Sequence, residues 1–172
     1  GCYNHALGRN ALRCNTTACN NTAVGYASLC SNTTGANNTA VGFESGIAET
    51  TADKNTSVGT YSAYRVTTGG ENTFIGYNSG AQNTTGVQNV GIGSASFGGS
   101  TTGSYNTALG ACTLYHTNTG NNNVAVGRKA LFDNTSGHDS VAVGNDALTN
   151  NTTGEENIAV GINALRDTTT AA

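Results

Sequence analysis

Thiol chemistry, metal binding, acid–base catalysis and ring stacking each need particular side chains, and this chain offers little for the first three. Its five cysteines are Cys2, Cys14, Cys19, Cys30 and Cys112. No Cys-x-x-Cys pair occurs, so a zinc site has no support. His5, His116 and His138 are scattered along the chain, which argues against a shared catalytic or metal cluster. Asp133, Asp139, Glu155 and Glu156 sit among turn-forming residues, where a solvated carboxylate is the default. Nucleophile-elbow, phosphate-loop and calcium-loop spacings are all missing. The expectation is a chain with no catalytic residue, no metal and no cofactor. The tyrosines and phenylalanines differ, because their spacing follows a repeat.

That repeat is strict. Gly8, Gly25, Gly42, Gly59, Gly76, Gly93, Gly110, Gly127, Gly144 and Gly161 recur every 17 residues without insertion or deletion. Four residues before each glycine stands an asparagine, Ser140 being the only exception. The consensus is N-T-A-V-G-x-x-A-L-x-x-N-T-T-G-x-N, and the asparagine is taken as position 1. Position 4 is always Val, Ile or Leu, and position 8 is always small. A second glycine falls at position 15, as in Gly35, Gly69, Gly86, Gly103, Gly120, Gly137 and Gly154.

Residues alternating through positions 1 to 4 predict a short strand. The position 5 glycine is expected to end it in a conformation closed to residues with a Cβ. Positions 7 to 10 read as a second short strand, and N-T-T-G at 12 to 15 as a turn with glycine at positive φ. Two strands and two turns per repeat make one coil of a roll, whereas the many glycines, threonines and asparagines disfavour helices. The predicted fold is an all-β, parallel β-roll or β-solenoid of ten coils, starting at residues 4, 21, 38, 55, 72, 89, 106, 123, 140 and 157. It forms one repetitive domain, 1–172, stabilised by neighbouring coils. Stacked at about 4.8 Å per coil, it would make a rod of roughly 48 Å. Gly1 lies in a closing turn and Ala172 stops one residue short of a full coil, so the chain reads as a fragment of a longer fibrous protein.

Placed on the coils, the reactive side chains fall into columns. Cys2 and Cys19 share position 16 on adjacent coils, within bridging range. Cys14 at position 11 and Cys30 at position 10 also lie on adjacent coils. Both pairs are disulfide candidates, the alternative being free thiols in a reduced compartment; Cys112 has no partner. Tyr26, Phe43 and Tyr77 share position 6, while Tyr64, Tyr115 and Phe132 share position 10. Such ring columns either stack on sugars or cover the edge of the solenoid. Phe74 and Phe97 are expected to fill space left by Gly46, Gly80 and Gly91. The Asn-x-Thr/Ser sequons at Asn15, Asn32, Asn83, Asn134 and Asn151 are by-products of the N-T-T repeat. Asparagine and threonine columns can bond from coil to coil, so this polar composition is compatible with order.

Charge and hydropathy exclude further classes. A net charge of −3 provides no basic stripe for nucleic acid. No apolar run approaches the ~20 residues needed for membrane insertion as a helix. Position 3, mostly alanine, reads as a smooth outer face with positions 2 and 4 filling the interior. Leucine at position 9 (Leu12, Leu29, Leu114, Leu131, Leu148 and Leu165) reads as an exposed apolar stripe, and both features point to self-association.

The segments N-V-A-V-G-R-K-A-L (Asn123–Leu131) and S-V-A-V-G-N-D-A-L (Ser140–Leu148) resemble the head repeats of trimeric autotransporter adhesins. The longer N-T-A-V-G-Y…N-T-T-G form resembles repeats of phage tail-fibre-type proteins. The resemblance implies a left-handed β-roll, a homotrimer, and a receptor-binding surface, on the cell surface or virion. The adhesin coil is shorter, the extra length here falling in the N-T-T-G turn. The leading expectation is therefore a structural, adhesive fibre module whose partners are itself and a cell-surface glycan or receptor. An extracellular filament growing end to end is the alternative. Ice binding by threonine columns is weaker, since position 2 loses threonine at His5, Val90, Val124, Val141 and Ile158.

Overall fold

The computed structural model describes residues 2–117 and 119–170, so Gly1 and Ala172 lie outside the described residues. Ten strands succeed one another: β1 (His5–Leu7), β2 (Thr22–Val24), β3 (Thr39–Val41), β4 (Thr56–Val58), β5 (Thr73–Ile75), β6 (Val90–Ile92), β7 (Thr107–Leu109), β8 (Val124–Val126), β9 (Val141–Val143) and β10 (Ile158–Val160). They form one parallel sheet in chain order, and no helix occurs among the described residues. Register runs position on position: Thr22 pairs with Thr39, Ala23 with Ala40 and Val24 with Val41. The chain is an all-β solenoid of 17-residue coils.

The position 5 glycines have φ between 124° and 141°, the strand-ending geometry expected of them. They also allow close stacking. From Gly8 to Gly144, an added Cβ would lie under 3.0 Å from the carbonyl oxygen of the next glycine in the column.

Positions 7 to 10 are a run of turns, not the expected second strand. Residues at positions 7 and 9 have φ between 48° and 64°, whether Ala, Leu, Tyr or Lys. Left-handed backbone costs a residue with a Cβ about 1–2 kcal/mol. The turned peptides use their N–H groups between coils: Ala27 donates to the Arg9 carbonyl at 2.9 Å, and Leu29 to that of Ser45 at 3.1 Å. Position 17 behaves alike, Asn37 donating to the Cys19 carbonyl at 3.1 Å. The positive φ expected at position 15 falls on position 17 instead. Where position 15 is glycine, space is short: a Cβ on Gly86 would collide with the Gly103 carbonyl and the Asn83 side chain, although Ala18 and Ala52 take the position in other coils.

Inside the stack, the position 1 asparagines form a buried ladder. Asn72 donates its amide to the Gly86 carbonyl at 2.9 Å, closing its own coil, and accepts the Asn89 backbone N–H at 2.9 Å. The same pair of bonds recurs at Asn21, Asn38, Asn55, Asn89, Asn106 and Asn123. At the exception, Ser140, the hydroxyl keeps the acceptor role by receiving the Asn157 N–H at 3.1 Å. The bond across the coil is lost there, and the Gly154 carbonyl keeps the local bond from Asn151 at position 12, 2.9 Å, that position 12 asparagines also make in other coils.

The strand faces are the reverse of those expected. Position 3 is buried from Ala23 to Ala159, whereas positions 2 and 4 point outward. Leucine at position 9 is core and not an exposed stripe: Leu29, Leu114, Leu131 and Leu148 are fully buried. The coil is thin, and alanine beneath leucine fills it. Exceptions compensate locally. Phe74 occupies position 3 where position 9 is Gly80 and the next position 3 is Gly91, and its ring lies 5.8 Å from that of Phe97. Gly46, expected to make room for these rings, instead faces Glu49.

Two substitutions test this packing by denaturant unfolding. Asn72→Ala strands the buried Asn89 N–H, while the Gly86 carbonyl keeps its bond from Asn83, and should cost ~1–3 kcal/mol; Asn72→Ser, copying Ser140, should cost less. Gly80→Leu should cost about 3 kcal/mol or more by overpacking. Adding Phe74→Ala should recover most of that loss, giving a double variant more stable than Gly80→Leu alone.

Candidate binding groove

The aromatic columns meet on one edge of the rod. Tyr26 and Phe43 stack with centroids 5.2 Å apart and planes 14° apart. Thr60 interrupts position 6 before Tyr77, but Tyr61 at position 7 bridges the gap edge-on. Its ring lies 5.5 Å from Phe43, 6.3 Å from Tyr77 and 5.4 Å from Tyr64. Tyr61 thus joins the two columns into one ridge. Further along, Tyr115 and Phe132 stack at 5.4 Å, His116 stands edge-on to both, and the Lys129 ammonium lies 5.2 Å from the Phe132 centroid.

Between the two ring groups, position 10 carries Ala81 and then Gly98, both buried. These small residues leave a groove of about 360 Å³ with Tyr64 and Tyr115 among its lining. Tyr64 and Tyr115 lie three coils apart, roughly 14 Å at the spacing of paired strands. Gly98 is required by its neighbour, since a Cβ there would meet the Tyr115 ring at 2.8 Å. Tyr61 and Tyr77 also line the groove, together with Glu44, Arg65, Asn78 and Gln82. None of those four polar side chains makes a hydrogen bond to the chain itself among the described residues. The groove therefore offers flat rings, unspent donors and unspent acceptors, the mixture typical of small-molecule sites.

Of the six predicted ring residues, Tyr64, Tyr77 and Tyr115 line the groove, Tyr26 and Phe43 extend its ridge, and Phe132 backs Tyr115. Tyr61 was not anticipated, because position 7 varies freely along the chain. The signal was its adjacency to the one gap in the position 6 rings.

Cys2 and Cys19 form the expected disulfide, with Cα atoms 4.8 Å apart. Cys14 and Cys30 do not, and both are free. Their coils do touch, the Cys14 N–H donating to the Cys30 carbonyl at 3.1 Å. At different repeat positions, however, Cys30 is buried while Cys14 is half-exposed, so the two side chains leave the backbone differently. Cys112 is also free. His138 lies between the Asp139 and Glu155 carboxylates at 2.7 and 2.9 Å, and its pKa is raised, chiefly by the Asp139 hydrogen bond. No group of three or more His, Cys, Asp or Glu side chains suited to a metal ion occurs among the described residues. Of the sequon asparagines, Asn32, Asn83, Asn134 and Asn151 are buried, Asn15 is half-buried, and each donates its amide to a position 15 carbonyl.

The fold and groove define a repetitive β-solenoid with one aromatic-lined interruption. Comparison with family models, curated proteins and solved structures finds no match to this chain.

One ionisable group lies in the interior. Glu49 takes position 12, which is asparagine in five of the ten coils, and is fully buried. Gly46 admits its side chain in place of a leucine, and Ser57 lies 3.5 Å from its Oε1. Burial raises its pKa to about 8, against weaker opposing hydrogen bonds from Asn55 and Ser57. The carboxyl is therefore mainly neutral at pH 7. Strongly shifted carboxyls often mark active sites, but this one is sealed from solvent. It also divides the apolar interior, Leu12, Ala23, Leu29 and Ala40 forming one cluster and Ala52 onward another. Because folding favours the protonated form, stability should be full below pH 4.5 and fall as pH rises to about 8. The slope should be at most ~1.4 kcal/mol per pH unit, with no further loss from this group above that range. Unfolding across this window should show the decline in the wild type and a smaller one in Glu49→Gln, where only the raised His138 still contributes above pH 6.5.

Proposed function

We propose that this chain is a structural, adhesive fibre module, of the phage tail-fibre or bacterial surface-adhesin kind, that spaces or presents a cell-surface-binding region. The observation that carries this reading is the contrast between its scaffold and its surface. Ten coils stack in unbroken register, yet one edge interrupts the repeat with a ridge and groove of rings. A shaft of identical coils gives reach and stiffness, and irregular side chains on it provide recognition. The Cys2–Cys19 disulfide supports an oxidising, extracellular setting. The sheet's outward face supports self-association. Positions 2 and 4 line up threonine, valine, isoleucine and leucine in two columns, and Ile92 and Val124 remain 40% and 38% exposed. A parallel column of β-branched residues suits packing against other copies around an axis.

Light scattering with electron microscopy of the same sample tests the assembly. The expected species is a uniform short rod of about three times the 17.3 kDa chain mass. Concentration-dependent polymers would instead favour an end-to-end filament, and a clean monomer would remove the trimer.

A further inference from the structure

We infer that the groove between Tyr64 and Tyr115 is a binding site for a short, linear, uncharged oligosaccharide lying along the rod axis. This inference rests on the adhesive-fibre reading and supplies its ligand class. Four features of the groove favour a sugar.

First, the rings are held in place. Tyr61 packs edge-on against Tyr64 and Tyr77, and Phe132 lies parallel to Tyr115 with planes 8° apart. A ring fixed by its neighbours loses little entropy on binding and can offer its face to the C–H side of a pyranose. Second, the shape is elongated. Ala81 and Gly98 interrupt a column that is aromatic on either side, so the opening runs across coils and suits an extended ligand.

Third, the polar groups match hydroxyls. Glu44 accepts only, Arg65 donates only, and Gln82 does both. A sugar hydroxyl donates and accepts, so one ligand class satisfies all three. A proline-rich peptide, the other common guest of aromatic grooves, brings carbonyl acceptors but few N–H donors and would leave the Glu44 carboxylate unmatched. Fourth, Glu44 and Arg65 carry opposite charges on the same groove, which favours an uncharged ligand over a strongly acidic or basic one.

The test uses the intact chain on an array of short linear oligosaccharides, with poly-L-proline as a second probe. At least one neutral saccharide should bind, and Tyr115→Ala should weaken that binding tenfold or more. Ala81→Tyr should abolish binding by filling the groove. It should leave folding intact, because Tyr64 and Tyr115 already occupy position 10 in other coils; circular dichroism and thermal unfolding verify this. Scattering mass is read on every variant. Failure to bind any saccharide at millimolar concentration, or binding of poly-L-proline alone, would overturn the inference. So would a change of oligomeric mass in Tyr115→Ala, which would make the groove a subunit contact. A trimeric rod that binds no sugar would sink this inference and leave the fibre reading standing, whereas a sugar-binding monomer would do the reverse.

Discussion

A backbone that turns a corner every few residues must satisfy its N–H and C=O groups somewhere, and here there is almost no interior in which to do it. The buried asparagine of each coil answers that constraint. Its amide N–H reaches a carbonyl across the same coil, while its carbonyl oxygen takes a backbone N–H from the next. One side chain thereby closes a coil and ties it to its neighbour, in a setting where an unpaired polar group would cost about 1–3 kcal/mol. Repetition follows from this, because the ladder works only if each coil places its asparagine above the last. Ser140 marks the limit of tolerance: it keeps the link between coils and gives up the bond across its own coil, where the Gly154 carbonyl is still met by Asn151.

The close stacking imposed by the ladder explains the other regularities. Glycine at position 5 lets neighbouring backbones approach, alanine at position 3 keeps the sheet near the opposite wall, and leucine at position 9 fills what remains. Departures come in complementary sets. Phe74 is matched by Gly80 and Gly91, and Glu49 by Gly46 and Ser57. The interior therefore permits almost no independent variation. Variation is free on the outside, and that is where the ring ridge and its groove lie.

Much of this was legible in the residues. A fixed period with glycine, asparagine and a branched aliphatic at set places admits little but a stacked coil, and the column logic located six of the seven rings that form the ridge and back the groove. It misled where alternation alone could not decide. A period of two says that Ala23 and Val24 face opposite ways, but not which is inside; coil thickness decided that, and it admits alanine. The left-handed turn residues were hidden because position 7 accepts Asn10, Ala27, Tyr61 or Lys129 alike, the constraint lying in the backbone bonds. Glu49 carried no sequence signal of its own, since only the glycine three residues before it hints at room inside. Cys14 and Cys30 show that adjacent coils do not suffice for a bridge; Cys2 and Cys19, alike in position, do bond.

Backbone hydrogen exchange, resolved residue by residue on the folded chain, tests the ladder most directly. If the asparagines carry the stack, the amides of Asn38, Asn55, Asn72, Asn89, Asn106 and Asn123, each received by the asparagine before it, should be among the slowest to exchange. They should be as protected as the strand amides beside them. Fast exchange at these positions, with protection confined to β2 through β9, would contradict the account by showing that the strands alone hold the rod together.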